Sequence, residues 1–240
     1  MNQKIENLIT VLQETSAKFD KVCFSTSMSA EDMILSHVIS EHKIPITVFT
    51  LDTGRLHDET YQLMQTVQER YHKNLKIYFP EAEDLETFIN TRGTNAFYQS
   101  IDFRKVCCQI RKVQPLKRAL EGQQVWVTGL RKQQSMTREG LEVMAWDDGF
   151  SLYKLNPLLD WSSEETWSFI RENDVPYNVL HDRGFPSVGC SPCTRAVAKV
   201  ENERAGRWWW ESPETKECGL HVSKGGNEIV PETGKSKDVA

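Results

Sequence analysis

The chain has 240 residues, 26 % of them charged, and a formal net charge of −5. That length holds one large domain or two small ones, and the charge balance gives no bulk attraction to nucleic acid or to a membrane surface. No run of about 20 apolar residues occurs, so no transmembrane helix is expected.

The opening "MNQKIENLIT" is polar and lacks the apolar core of a secretion signal, which makes a cytoplasmic protein the expectation. Ile5, Leu8, Ile9 and Leu12 recur at helical spacing. "KVCFST" reads as a strand running into a loop, and "AEDMILSHVISEH" as a helix with an acidic first turn, favourable at the positive end of its dipole. "PITVFTLDTGR" is a second strand with a Gly-containing loop, "HDETYQLMQTVQERY" a helix, "LKIYF" a third strand and "QVWVTGL" a further one. Strands separated by helices predict an α/β fold: a parallel sheet with helices on both faces. In such a sheet the ligand sits beyond the carboxyl ends of the strands. "LEVMAW" and "SLYKLNP" predict a strand pair, "SSEETWSFIREND" a helix with serines before a Glu pair, and "DVPYNVLHDRGFPSVGCSPC" an ordered loop. From about Gly219 the chain is polar and poor in apolar residues, which predicts a mobile end. The simplest division is a nucleotide- and cofactor-binding body over residues 1–205 and a C-terminal segment over 206–240.

Three loops, "STSMSAED", "LDTGR" and "TGLRKQQS", follow strands and converge on one sheet edge if the strands are parallel. Ser25, Thr26, Ser27 and Ser29 bring hydroxyls to a helix N-terminus, whose free N–H groups favour an anion. Asp52 and Thr53 are placed to bind a ribose or base. Each loop alone is equally a cap or turn, but the three together point to a nucleotide pocket. A glycine-rich Walker motif is absent, against a P-loop kinase.

Of the six cysteines, Cys23 lies in an apolar run and reads as a core residue. In a reducing compartment none is expected in a disulfide framework. Cys107 and Cys108 are adjacent, between Arg104–Lys105 and Arg111–Lys112. Neighbouring cysteines make a poor disulfide, and surrounding cations favour thiolates. With Cys190 and Cys193 of "CSPC" they make four thiols from two segments, a set that suits tetrahedral zinc or a four-iron cluster. Adjacent ligands fit the separate corners of a cubane better than a single ion, though the residues alone leave both open. Cys218, in "KECGLH" with Lys216 before it and His221 after, is a lone thiol suited to nucleophilic attack. Arg204 and Arg207 in "ENERAGRWWW", three apart, predict two guanidiniums on one helical face gripping a phosphate or sulfate.

Taken together, "KVCCQIRKVQPLKR", "GCSPCTR", "ERAGRWWW" and "KECGLH", with "STSMSAED" and "LDTGRLHDET", resemble the assimilatory adenylyl-sulfate reductases within the phosphoadenylyl-sulfate reductase family. The resemblance runs from about Lys21 to His221. It implies an adenine nucleotide α-hydrolase-like fold and reduction of adenosine 5′-phosphosulfate to sulfite and AMP through an S-sulfocysteine, with thioredoxin or glutaredoxin as donor. It implies a [4Fe-4S] cluster on Cys107, Cys108, Cys190 and Cys193, and Cys218 as nucleophile. Lys112, Arg204 and Arg207 match the cationic grip on the phosphosulfate, and Ser25, Ser27, Asp52, Thr53, Arg131 and His221 complete the expected substrate-binding set. Ser29 stands where the family usually has glycine. Rival readings are the 3′-phosphorylated substrate, an ATP-cleaving adenylyl or sulfur transferase of the same fold, and a metal- or cluster-binding regulator. Nucleic acid and membrane are not expected partners, and a homo-oligomer is compatible with the sequence.

Overall fold

The computed structural model describes residues 2–71, 73–134, 140–198 and 201–212. A six-stranded sheet has the spatial order β3-β2-β1-β4-β6-β5. Its strands are β1 (Val22–Thr26), β2 (Thr47–Leu51), β3 (Lys76–Tyr78), β4 (Val125–Val127), β5 (Met144–Asp147) and β6 (Leu152–Leu155). All neighbours pair in parallel except the hairpin partners β5 and β6. The helices are α1 (Asn2–Lys18), α2 (Ala30–Glu41), α3 (Asp58–Arg70), α4 (Ala82–Arg92), α5 (Ile101–Cys108), α6 (Gln114–Leu120) and α7 (Ser163–Glu172). Among the described residues no helix is long and apolar enough to cross a membrane.

Alternation along the strands divides the interior in two. Val22 and Phe24 of β1, Val48 of β2, Val125 and Val127 of β4 and Leu155 of β6 face one core, shared with Leu8 and Leu12 of α1, Met33 to Leu35 of α2 and Phe169 of α7. Cys23, Phe49, Trp126 and Leu152, one residue out of phase, face the second core with Leu116, Ala119 and Leu120 of α6. The four inner strands β1, β2, β4 and β6 thus bury residues on both faces, as expected of a sheet covered on each side. α7 starts on a full capping box, Ser162 accepting from Glu165 N while the Glu165 carboxylate takes Ser162 N.

The sheet order reverses at β1, with β2 on one side and β4 on the other. The crevice beyond their carboxyl ends is therefore the place for a ligand. The helix that follows α4 is continuous from residue 101 to 120 but changes pitch over Gln109–Val113, a π-helical turn between α5 and α6. Pro115 lacks the N–H that would bond the Arg111 carbonyl, and its ring crowds that carbonyl, so the wider pitch relieves the helix there. The turn carries Arg111 and Lys112 directly after the paired cysteines.

The stretch holding Arg204 and Arg207 is a run of turns rather than a helix, correcting the helical-face expectation. Gly206 explains it: a Cβ there would lie 2.3 Å from the Arg195 carbonyl oxygen, so this backbone passes directly against another strand of chain. Arg207 pairs with Thr194 in a single antiparallel bridge. Arg207, Trp208 and Glu211 of this stretch are buried, while Trp209 is exposed.

Candidate active site

A cavity of about 210 Å3 opens at the carboxyl ends of β1, β2 and β4. Ser25, Ser27, Thr53, Lys112, Arg204 and Arg207 all line it, so six of the residues singled out in sequence meet at one place. Ser29 and the first turn of α2 form part of the same wall. Ser29 takes φ −73° and caps α2, its hydroxyl accepting from Asp32 N at 3.4 Å. That extended conformation suits any residue, so serine in place of glycine costs the loop nothing. The left-handed residue of the loop is Met28, at φ 61°.

The loop is held from behind. One Asp32 oxygen accepts from Ser27 N at 2.6 Å and from Ser27 Oγ at 2.7 Å. Burial pushes the Asp32 carboxyl up to about 6, against the lowering effect of the Ser27 hydrogen bonds. Gly129, at the end of β4, is required by this arrangement: a Cβ would stand 2.2 Å from Asp32 Oδ1. Gly189 plays the same part for a cation, since a Cβ would fall 2.4 Å from the Arg207 guanidinium.

Two expected substrate contacts stand elsewhere. Asp52 is absent from the cavity wall; its Oδ1 accepts from Gly54 N at 2.7 Å and Tyr61 Oη at 2.9 Å, fixing the "DTGR" loop. Arg131 is also absent from the wall. It is 3 % exposed, donating from Nε to Glu31 at 2.7 Å and reaching Glu203 at 3.4 Å. It clamps α2 to the turn before Arg204, a role set by partners 100 and 72 residues away. Cys218 and His221 lie outside the described residues. Trp126 was missed in sequence: it sits mid-strand in "QVWVTGL", where it reads as core, yet it lines the cavity and donates from Nε1 to Ser25 Oγ at 2.7 Å.

A second, smaller cavity of about 20 Å3 adjoins the first. Cys107, Cys108, Cys190 and Cys193 all line it, with Arg55, Phe97, Arg104 and Arg111. Lys112, Cys190 and Trp208 border both cavities. The cysteines come from the end of α5 and from a 3-10 turn, Ser191–Cys193, with Cys190 as its N-cap, and those four are free thiols. Burial raises Cys107, and raises Cys193 to about 12, with the Cys190 charge adding to the effect on Cys193. Cys190 is buried too, but Lys112, the Thr53 hydroxyl, Arg207 and Arg111 outweigh that burial and bring it below its ordinary value. Thr53 Oγ1 lies 3.3 Å from Cys190 Sγ, and Arg111 Nη1 donates to the Thr53 carbonyl at 2.5 Å. The "DTGR" loop and the thiols are therefore linked to one another. Among the described residues no three His, Cys, Asp or Glu side chains converge tightly enough to hold one metal ion; the thiols ring a space. A set of four sulfur donors from two segments, three of them buried, fits a polynuclear cluster, in which each thiolate would bind its own iron.

The phosphoadenosine phosphosulfate reductase domain model matches residues 21–196. The chain belongs to this reductase family. It is 50 % identical to an adenosine 5′-phosphosulfate reductase of Allochromatium vinosum over 213 residues, 89 % of this chain and 83 % of that one. It is 47 % identical to the Burkholderia cepacia protein of the same name, over 92 % of this chain and 88 % of that one. Among solved structures, the phosphoadenylyl-sulfate reductase of Candida auris superposes with a TM-score of 0.68 at 28 % identity, covering 79 % of this chain and 90 % of that one. The FMN adenylyltransferase of Candida glabrata, at 19 % identity and a TM-score of 0.58, shares the fold, covering 90 % of this chain and 73 % of that one. The α/β fold of the adenine nucleotide α-hydrolase type expected from the alternating elements is thus the fold of this reductase family.

Proposed function

We propose that the protein reduces adenosine 5′-phosphosulfate to sulfite and AMP in sulfate assimilation in the cytoplasm, drawing two electrons from a dithiol protein of the thioredoxin or glutaredoxin type. The observation that carries this reading is the shared wall. Lys112 and Cys190 border both the hydroxyl- and cation-lined cavity and the four-thiol cavity, so an anion-binding nucleotide site and a sulfur-rich site are one assembly. The relatives named adenosine 5′-phosphosulfate reductase support the substrate.

The chemistry balances with thiols alone. The Cys218 thiolate attacks the sulfuryl sulfur; an S–S bond forms, the S–O bond to the phosphate breaks, and its electron pair leaves on AMP. A donor thiolate then attacks Cys218 Sγ, and sulfite departs with the pair of the broken S–S bond. The donor's second thiol resolves the mixed disulfide and restores the Cys218 thiol. Lys112, Arg204 and Arg207 lower the repulsion between thiolate and phosphosulfate and stabilise the charge gathering on the leaving phosphate. Cys107, Cys108, Cys190 and Cys193 would hold a [4Fe-4S] cluster, which when bound ties α5 to the 190–193 turn and sets the electrostatics beside Lys112. Cys218 belongs to the C-terminal segment, which we divide from the nucleotide- and cluster-binding body.

Steady-state assays with both phosphosulfates and one thioredoxin test this. The first loop, "STSMSAED", carries no Lys or Arg to meet a 3′-phosphate. The expected kcat/KM for adenosine 5′-phosphosulfate exceeds that for the 3′-phosphorylated form by at least roughly tenfold, about 1.4 kcal/mol. Equal efficiency, or preference for the 3′-phosphate, overturns the substrate assignment.

A further inference from the structure

One end of the large cavity is apolar. Leu51, Leu116 and the ring of Trp126 stand there together, and the Ser25 hydroxyl is set among them. Leu116 lies one helical turn beyond Lys112, so the apolar wall is adjacent to the cationic one along the same helix face. The layout suits a nucleotide with its base at the leucine end beside Ser25 and its phosphate toward Lys112.

Trp126 is held rigidly. It is 1 % exposed, its ring packs edge-on against Phe150 at 5.3 Å, and the Lys154 ammonium lies 4.6 Å from its centroid. From that fixed position its indole N–H, which only donates, is committed to Ser25 Oγ at 2.7 Å. The serine oxygen thus already serves as an acceptor. Its own O–H finds no acceptor among the described residues and remains to be donated. Once a flat base covers that end and excludes water, an unpaired hydroxyl is costly, so the ligand must supply a lone pair there.

We propose that Trp126 and Ser25 form a base-reading pair: the indole N–H fixes the serine hydroxyl as a donor, and the hydroxyl recognises an unprotonated ring nitrogen of adenine. Ser25 is the specificity-determining contact and Trp126 a positioning residue. The proposal rests on the adenine-nucleotide reading of the cavity and adds the atom-level basis for choosing the base.

Calorimetric binding of AMP and its 1-deaza, 3-deaza and 7-deaza analogues, each replacing one ring nitrogen by C–H, tests it on wild type, Ser25→Ala and Trp126→Phe. Phenylalanine keeps a ring between Phe150 and Lys154 and removes the donor together with one ring of the indole. In the wild type one analogue binds at least roughly tenfold more weakly than AMP; in Ser25→Ala that penalty collapses to within about twofold, and in Trp126→Phe it shrinks part-way. A penalty unchanged in Ser25→Ala, or no penalty for any analogue in the wild type, overturns the pair. Should Trp126→Phe fail to fold, the Ser25→Ala comparison decides alone. A wild type that binds no AMP at all removes the nucleotide reading, and the pair with it.

Discussion

Arg104 and Glu211 face one another in the protein interior as a two-bonded ion pair, Nε to Oε1 and Nη2 to Oε2, both at 2.8 Å. Arg104 stands on α5, four residues before Cys108, and its guanidinium also lies 4.9 Å from the Trp208 ring centroid. The pair fastens the turns carrying Arg204 and Arg207 to the helix carrying the adjacent cysteines. Glu211→Gln leaves the Arg104 charge buried without its counter-ion and lowers unfolding free energy by about 3–5 kcal/mol. Replacing both partners, Arg104→Met with Glu211→Leu, costs less than the single change. Urea unfolding of the three proteins measures this; a single variant as stable as the wild type contradicts it.

The four-thiol cavity predicts a metal content. Anaerobically prepared protein is brown and carries iron and acid-labile sulfide, and Cys193→Ser or Cys107→Ser bleaches it. Elemental analysis checks the expectation, and colourless protein with stoichiometric zinc contradicts it. The chemistry of four separated donors around a space is what distinguishes the two outcomes.

Gly189→Ala is expected to act on ligand binding more than on stability. The added Cβ collides with the end of a long side chain, the Arg207 guanidinium at 2.4 Å, and pushes that cation off the cavity wall. AMP affinity falls by about tenfold, the order of one charge-assisted hydrogen bond to phosphate. Isothermal titration reads the change; unaltered affinity shows that Arg207 is not part of the anion grip.

Much of this site was legible before the fold was seen. Strand and helix periods placed the three loops at one edge because apolar alternation is a local signal, and Ser25, Ser27 and Thr53 followed from it, while Lys112 came from the family resemblance. Asp52 and Arg131 carried the same polar signal in the same loops. What they bind is decided by Tyr61, Glu31 and Glu203, brought in by packing that no spacing encodes. The helix from 101 to 120 was hidden because Pro115 and the π turn break its 3.6-residue period. Arg204 and Arg207 reach one cavity through turns, since Gly206 lies where Arg195 leaves no room for a Cβ. Trp126 escaped notice because a tryptophan inside an apolar strand carries no sign that its N–H will bond a hydroxyl of the cavity wall.

Asp32 gives a pH dependence with a definite sign. Its folded carboxyl is pushed up to about 6 from 3.8, so the folded state binds the proton more tightly than the unfolded chain. The stabilisation is complete below about pH 4 and is lost as pH rises to about 6, amounting to about 3 kcal/mol. Measured against Asp32→Asn across pH 4 to 7, wild-type stability falls by about that amount and then levels off. A difference that is flat, or that grows with pH, contradicts the burial account of this group.

In the proposed mechanism sulfite leaves from a cysteine of the C-terminal segment. Mass spectrometry of the protein incubated with adenosine 5′-phosphosulfate and no thiol donor tests it most directly. The expected result is a sulfonate on the peptide bearing Cys218, released as sulfite when thioredoxin is added, and no such adduct in Cys218→Ser, which still binds AMP. A sulfonate on another cysteine, or sulfite released by Cys218→Ser at the wild-type rate, would contradict it.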